Sequence, residues 1–134
     1  MSSLPTRPPV RTVETEPFWA GCAEGRLVLP RCDRCRHWIW YPRAFCPACA
    51  GTDVSWTEVS GDATVYSCTV VRRGTGPYRG HAPYVLAYVE LAEGPRVMTN
   101  IVDVDPESVR IGQPVRVVFD PAGDADALPR FAPA

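Results

Sequence analysis

Lysine is missing from this chain; every basic side chain is arginine. The 134 residues hold only two histidines and two methionines. No apolar run approaches the roughly 18 residues that a membrane-crossing helix needs, so no span is expected. The segment MSSLPTRPPVRTVETEP lacks the apolar core of a secretory leader, and a cytoplasmic location is expected. Thiols stay reduced in that compartment, where clustered cysteines bind metal more often than they form disulfides. Net charge is small, at -1, but uneven. Eight arginines stand against four acids between positions 26 and 83, and four against eight between 84 and 134. Metal-bound thiolates would shrink the first excess further. No basic stripe of the kind a nucleic-acid binder displays is evident. No Gly-rich phosphate loop precedes a helix, and neither His37 nor His81 has an evident nucleophile partner.

Cysteine is what the chain has in pattern. Four of its six cysteines fall in RCDRCRHWIWYPRAFCPAC, spaced Cys32-x2-Cys35, ten residues, Cys46-x2-Cys49. Two such knuckles bring four thiolates to the corners of a tetrahedron around Zn²⁺ (or iron in the same cage). Redox pairs rarely come doubled. Four protein ligands leave no open position, so the site reads as structural rather than catalytic. A unit of about 40 residues buries too little apolar surface to stand alone, and a metal would supply the deficit. Cys22 and Cys68 lack the spacing and are expected to be small buried residues. His37 is an outside ligand candidate. Trp38, Trp40, Tyr41 and Phe45 lie between the knuckles; they could cover the metal, face the rest of the protein, or stack on bases.

Residues 1 to 12 are polar and proline-rich and read as an extended arm. Thr15 is a plausible N-cap for EPFWAGCAE, with Pro17 in the first turn and Gly25 as the stop. Arg26 to Leu29 reads as a short strand. After Cys49, TVYSCTVV, YVLAYVEL, RVMTNIV and PVRVVF are strand-like, with Gly, Pro and Asp between them. Val85, Ala87, Val89 and Leu91 share one face; Tyr84, Leu86, Tyr88 and Glu90 take the other. EGP at 93–95 marks a hairpin, Asp105 to Val109 a brief helical turn, and Arg130–Phe131 a last strand. The expected architecture is mostly β: an arm and short helix over 1–25, a rubredoxin-like zinc ribbon over 26–55, and an OB-fold barrel over 56–134. A small sandwich is the alternative for the last part.

In this order the residues resemble the zinc-ribbon plus OB-fold family associated with acyl-CoA metabolism. The resemblance rests on PFW at 17–19, GRL at 25–27, CDRC, YPRAFCPAC, SGDATVYSCTVV, APYVLAYVEL, EGPRVMTNIV and IGQPVRVVF. The family usually has Gly after its first CxxC and Pro-Pro before the Arg; Arg36 and Tyr41-Pro42 stand there instead. The resemblance implies a non-catalytic accessory subunit of a thiolase-fold enzyme, either a thiolase or a retro-aldolase of steroid side-chain degradation. It implies acyl-CoA as the shared ligand and a hot-dog-fold hydratase as a further partner. The arginine-only, Pro/Ala/Gly-rich composition suits a GC-rich coding sequence and so the steroid setting. The loop VVRRGTGPYRGHAPY joins the first two barrel strands, where OB-folds commonly bind ligands. Arg72, Arg73 and Arg79 could pair with the phosphates of CoA and Tyr78 could stack on its adenine. A solvated loop and a partner contact are the other readings of that segment. The competing function is a single-stranded nucleic-acid-binding module.

Overall fold

Proline near its start and glycine past its end bound the first element, helix α1 (Glu16–Ala23). Gly25 takes the left-handed conformation, φ 74°, that turns the chain back. Phe18 and Cys22 are buried on one face of the helix. Thr15 departs from its expected role. It occupies the N-cap position, but its side chain makes no capping bond. The hydroxyl instead accepts the Thr12 backbone N–H at 3.0 Å. Thr15 already has α-region backbone angles, which direct its side chain back into the preceding turn. The computed structural model describes residues 2–134.

Strand β1 (Val28–Cys32) pairs antiparallel with β2 (Val54–Glu58) to form the ribbon hairpin. The expected boundary between ribbon and barrel, at 55/56, lies inside β2. The remaining strands are β3 (Asp62–Val71), β4 (Tyr84–Leu91), β5 (Arg96–Ile101), β6 (Pro114–Ala122) and β7 (Asp126–Pro133). They close into a barrel in the order β3-β4-β5-β7-β6. Closure comes from β6 returning to β3, with Asp62 opposite Arg116. A 3-10 turn at Pro106–Ser108 lies between β5 and β6, at the place that Asp-Pro-Glu-Ser marks. This is a five-stranded OB-type barrel behind a zinc-ribbon cysteine cluster and one short helix.

The strand faces follow the alternation in the sequence. Val85, Ala87, Val89 and Leu91 are buried and meet Val65, Val97, Ile101, Val115 and Phe131 in the barrel interior. Phe18, Cys22, Leu27 and Leu29 belong to the same core, so α1 and β1 share it with the barrel. A bulge between Val65 and Ser67 lets β3 bend across two partners. It leaves Tyr66 outside, covered on one face by the Arg96 guanidinium at 3.9 Å. At the barrel entrance, a Cβ on Gly61 would lie 2.6 Å from a Val117 methyl, and φ there is 83°. Only glycine fits both constraints.

The N-terminal arm is tied to the β6–β7 hairpin. Asp120 and Arg130 face each other across that hairpin at 2.7 Å, each side chain 3% exposed. The Ser2 backbone N–H donates to Asp120 at 3.2 Å, and the Ser2 hydroxyl bonds the same carboxylate. Arg130 donates to the Pro5 carbonyl at 2.6 Å. Farther along, Arg11 donates to Asp126 through Nε at 3.0 Å.

Burial alone would raise the Asp120 carboxyl, but hydrogen bonds from Ser2 and Arg130 outweigh it and hold the group below its ordinary value. A depressed carboxyl stabilises the fold above its unfolded pKa, about 3.9, and that contribution fades as pH falls through the lower folded value. Asp120→Ala leaves Arg130 buried without its partner and should cost about 3–5 kcal/mol. Asp120→Asn should lose the part of the acid dependence below about pH 4 that this carboxylate supplies. Urea melts from pH 2.5 to 7 on the native chain and both variants would check this.

Candidate metal centre and aromatic groove

Each knuckle turns on itself through the same pair of contacts. Arg36 N–H donates to the Cys32 carbonyl at 2.9 Å, and Ala50 N–H to the Cys46 carbonyl at 2.8 Å. Backbone N–H groups also point at the sulfurs: Cys35 at Cys32 Sγ, 3.5 Å, and Ala48 at Cys46 Sγ, 3.4 Å. Both turns end on a left-handed residue, Arg36 at φ 64° and Ala50 at φ 62°. Arg36 thus holds the backbone conformation for which glycine is the easier residue. Its carbonyl accepts Arg31 Nε at 2.9 Å, a bond that does not depend on the Arg36 side chain.

The four sulfurs of Cys32, Cys35, Cys46 and Cys49 lie within 4.8 Å of one another. Cys32 and Cys49 are 3.6 Å apart, Cys35 and Cys46 3.5 Å. A tetrahedron with metal–sulfur bonds of about 2.3 Å has edges of about 3.8 Å, so the cluster has the size of a metal cage. Disulfides, at about 2.05 Å, do not fit these separations. The Cys32 thiol is pulled down to about 6, chiefly by the Cys35 N–H. At Cys35 the N–H of His37 pulls the same way. Desolvation and the crowded sulfurs of Cys46, Cys32 and Cys49 overcome it and push this thiol up to about 12. The set therefore resists carrying four negative charges by itself, and a bound cation would relieve that repulsion. His37 is exposed and outside the cluster. Cys22 is buried in the main core, where burial pushes its thiol up to about 12. Cys68 is only partly buried, less so than its sequence context suggests.

The residues between the knuckles divide. Ile39 is fully buried with Cys32 and Cys46 and makes the small ribbon core. Trp40 leans on Phe18, ring centres 5.3 Å apart, and Trp38 lies under the Arg31 guanidinium at 4.6 Å. Tyr41 and Phe45 remain half exposed.

Trp40 and Tyr41 also wall a groove of about 420 Å³ together with Trp19, Tyr78, Tyr88 and Met98. Of the four residues singled out in the 70–84 loop, only Tyr78 reaches it; Arg72, Arg73 and Arg79 lie outside its lining. Tyr78 packs on Tyr84, centroids 5.1 Å apart. Arg72 crosses to Glu107, making two bonds of 2.5 and 3.1 Å. The Arg72 hydrogen bond is also the main cause holding Glu107 below its ordinary value. Both partners are more than half exposed, so the pair adds little stability. Arg73 and Arg79 are exposed. Gly74 keeps the loop tight: a Cβ there would come within 2.0 Å of the Tyr78 carbonyl oxygen. Tyr88 and Met98 were not singled out from the sequence. Their signal was large apolar residues on the outward face of a strand.

Residues 19–55 match the family described as "ChsH2, rubredoxin-like zinc ribbon domain", and residues 56–120 match "ChsH2, C-terminal OB-fold domain". A solved chain titled "Ltp2-ChsH2(DUF35) aldolase" superposes with a TM-score of 0.85 at 34% identity, covering 93% of this chain and 98% of that one. The chain belongs to the DUF35 family. A "DUF35 domain-containing scaffold protein" of Methanothermobacter thermautotrophicus is 38% identical over 94 residues, 69% of this DUF35 chain and 71% of that protein. A "Probable enoyl-CoA hydratase alpha subunit" of Thermomonospora curvata is 38% identical over 118 residues, 87% of this chain. The chain spans only 37% of that subunit's length. It likewise spans 35% of the "3-oxo-4,17-pregnadiene-20-carboxyl-CoA hydratase alpha subunit" of Mycobacterium tuberculosis, at 30% identity.

Two outcomes follow for this DUF35 chain. Cys46→Ser removes one corner of the cage, so metal content and soluble yield should fall together, whereas Cys22→Ser should keep its metal; elemental analysis of the purified proteins checks both. Arg36→Gly relieves a left-handed side-chain residue and should raise stability by about 1 kcal/mol, read as a higher denaturation midpoint.

Proposed function

We propose that this chain is a non-catalytic accessory subunit. It binds a thiolase-superfamily enzyme that acts on an acyl-CoA, completes or steadies that enzyme's ligand site, and carries one structural Zn²⁺ on Cys32, Cys35, Cys46 and Cys49. The observation that carries the reading is the likeness, over nearly the whole of both chains, to the DUF35 chain of an aldolase. The relative named as a scaffold protein points the same way.

The finer reading is a retro-aldolase of steroid side-chain degradation, in a cytoplasmic complex with a hot-dog-fold hydratase as a further partner. The pregnadiene-carboxyl-CoA hydratase relative supports the steroid setting. Zinc suits a cage of four thiolates, and four protein ligands leave no position for substrate. The metal then fixes the ribbon, and the reacting groups belong to the partner.

Physically, a thioester carries a long CoA arm whose binding energy can position the reacting carbon if something holds that arm. In this reading Arg72, Arg73 and Arg79 meet its phosphates and Tyr78 its adenine. A phosphate meeting Arg72 competes with Glu107 for the guanidinium. That exchange is feasible because the pair is exposed.

The test assays each subunit alone and then mixed, on an acyl-CoA substrate. Cleavage should appear, or rise strongly, only in the mixture, and should depend on residues of the partner. Arg72→Ala with Arg73→Ala should raise the KM of the complex for the acyl-CoA or dissociate it. An isolated partner as stable and active as the mixture, or turnover by this chain alone, would sink the proposal.

A further inference from the structure

The barrel has an open seam, and the groove lies on it. Strands β5 and β7 run parallel but meet only at Ile101 and Phe131, where the Val102 N–H donates to the Phe131 carbonyl at 2.8 Å. Backbone groups alternate in direction along a strand, so Met98 and Asn100 turn theirs to the same side as Val102, away from β4. The next β7 residue facing the seam is Pro129, and a proline has no N–H to carry the ladder on to Met98. Two strand edges therefore flank the groove and line it, Met98 to Asn100 on one side and Leu128 to Arg130 on the other. The Asn100 carbonyl accepts the Thr99 hydroxyl at 3.3 Å. The Asn100 N–H and both backbone groups of Met98 have no partner across the seam among the described residues.

A further donor waits in the same lining. Trp19 Nε1 is buried and has no hydrogen-bond partner. A buried N–H in that state is costly, and a carbonyl arriving from outside is the group it lacks. A hydrocarbon would cover the rings of Trp40, Tyr78 and Tyr88 but leave every one of these backbone and indole groups unmet. An extended peptide answers both needs: its backbone pairs with a strand edge while alternate side chains enter the pocket. Charge narrows the guest further. No acid lines the groove, and Arg130 is already paired with Asp120. Beside the groove, Arg43 gives Nε to the Tyr41 carbonyl at 3.2 Å, and its terminal nitrogens have no partner among the described residues. A carboxylate next to an apolar anchor complements that rim. A second copy of this chain has no loose strand to lend, because its own extended arm is tied down at Ser2, Pro5 and Arg11.

We propose that the groove is a strand-addition site for an extended segment of the partner enzyme, an apolar or aromatic anchor with an acidic neighbour, which pairs with β5 at Met98–Asn100 and gives a carbonyl to Trp19. The inference rests on the accessory-subunit reading and extends it by naming the surface and the chemistry through which the partner is held.

The experiment uses the full chain, its thiolase-superfamily partner, and peptides of about ten residues tiled along the partner's sequence. One stretch, apolar with an adjoining acid, should bind saturably. On the isotope-labelled chain its binding should slow exchange of the Met98 and Asn100 amides about tenfold or more, while Val97 and Thr99, already paired with β4, change little. The Trp19 indole N–H resonance should move downfield. Trp19→Phe keeps a ring and loses the donor, and should weaken binding about fivefold. Arg43→Glu should weaken it about tenfold, and exchanging the peptide's acid for arginine should restore it. Ile111→Ser, an exposed position outside the lining, should leave it unchanged. Methylating the peptide nitrogens that face β5 should abolish binding to the native chain, a result that needs no variant to fold. The inference is overturned if no tiled peptide binds, if a bound peptide leaves the Met98 and Asn100 amides unprotected, or if nitrogen methylation or the Arg43 reversal makes no difference. Activation of the partner is scored separately. A mixture that associates and gains activity while no peptide binds discards the groove's occupant and keeps the accessory-subunit reading. A peptide that pairs with β5 while the mixture gains no activity keeps the occupant and discards that reading.

Discussion

At the knuckle end the ribbon has Ile39 and part-buried Val54 behind its cysteines, while Leu27 and Leu29 at its other end join the barrel core. Apolar burial on that scale cannot offset the entropy of ordering the chain that crosses it. Four sulfurs at 3.5 to 4.8 Å must therefore hold the knuckle end, and they repel one another as soon as they ionise. A cation in the cage turns that repulsion into cohesion. The remaining geometry depends on it, because the 36–45 stretch is pinned at one end by Cys35 and at the other by Cys46. Trp40 and Tyr41 sit on that stretch, so two walls of the groove are set by a site that does not itself line the groove.

The barrel obeys a different constraint. The β3–β6 pairing closes the barrel, while β5 and β7 meet only at Ile101 and Phe131. Closure shortens the edges open to another chain, and the β5–β7 seam is the stretch of the barrel where they remain. Tyr66, Leu86, Tyr88 and Met98 are the large apolar side chains on the outside of β3, β4 and β5. Proteins seldom leave such groups together in water without a use for them.

Much of this was legible in the sequence because it is local. A doubled CxxC fixes which sulfurs meet, since each knuckle closes within a few residues. The odd positions of YVLAYVEL are the buried ones, because side chains alternate along a strand. Contacts between distant residues were not legible. In sequence, residues 1 to 12 look like a loose arm; Ser2, Pro5 and Arg11 have partners in Asp120, Arg130 and Asp126, more than a hundred positions away. The same limit separates Tyr78 from its neighbours in the 70–84 loop. Adjacency in sequence does not reveal that Arg72 turns to Glu107 while Tyr78 turns to the groove. Thr15 failed as a cap because propensity names the position, whereas the backbone angles at that position decide where the hydroxyl points.

The anchoring of the arm sets the mechanics of the groove. Helix α1 is tethered ahead by Arg11 on Asp126 and behind by the turn at Gly25, so Trp19 has little room to travel. Trp40 and Tyr41 are fixed between the knuckles, and Tyr88 and Met98 by the strand ladder. The wall carrying Tyr78 is held by one ring contact and one exposed ion pair, with glycines at 74, 76 and 80 around it. The groove thus has three walls held by long-range packing and pairing, and a fourth that rests on contacts of the loop itself.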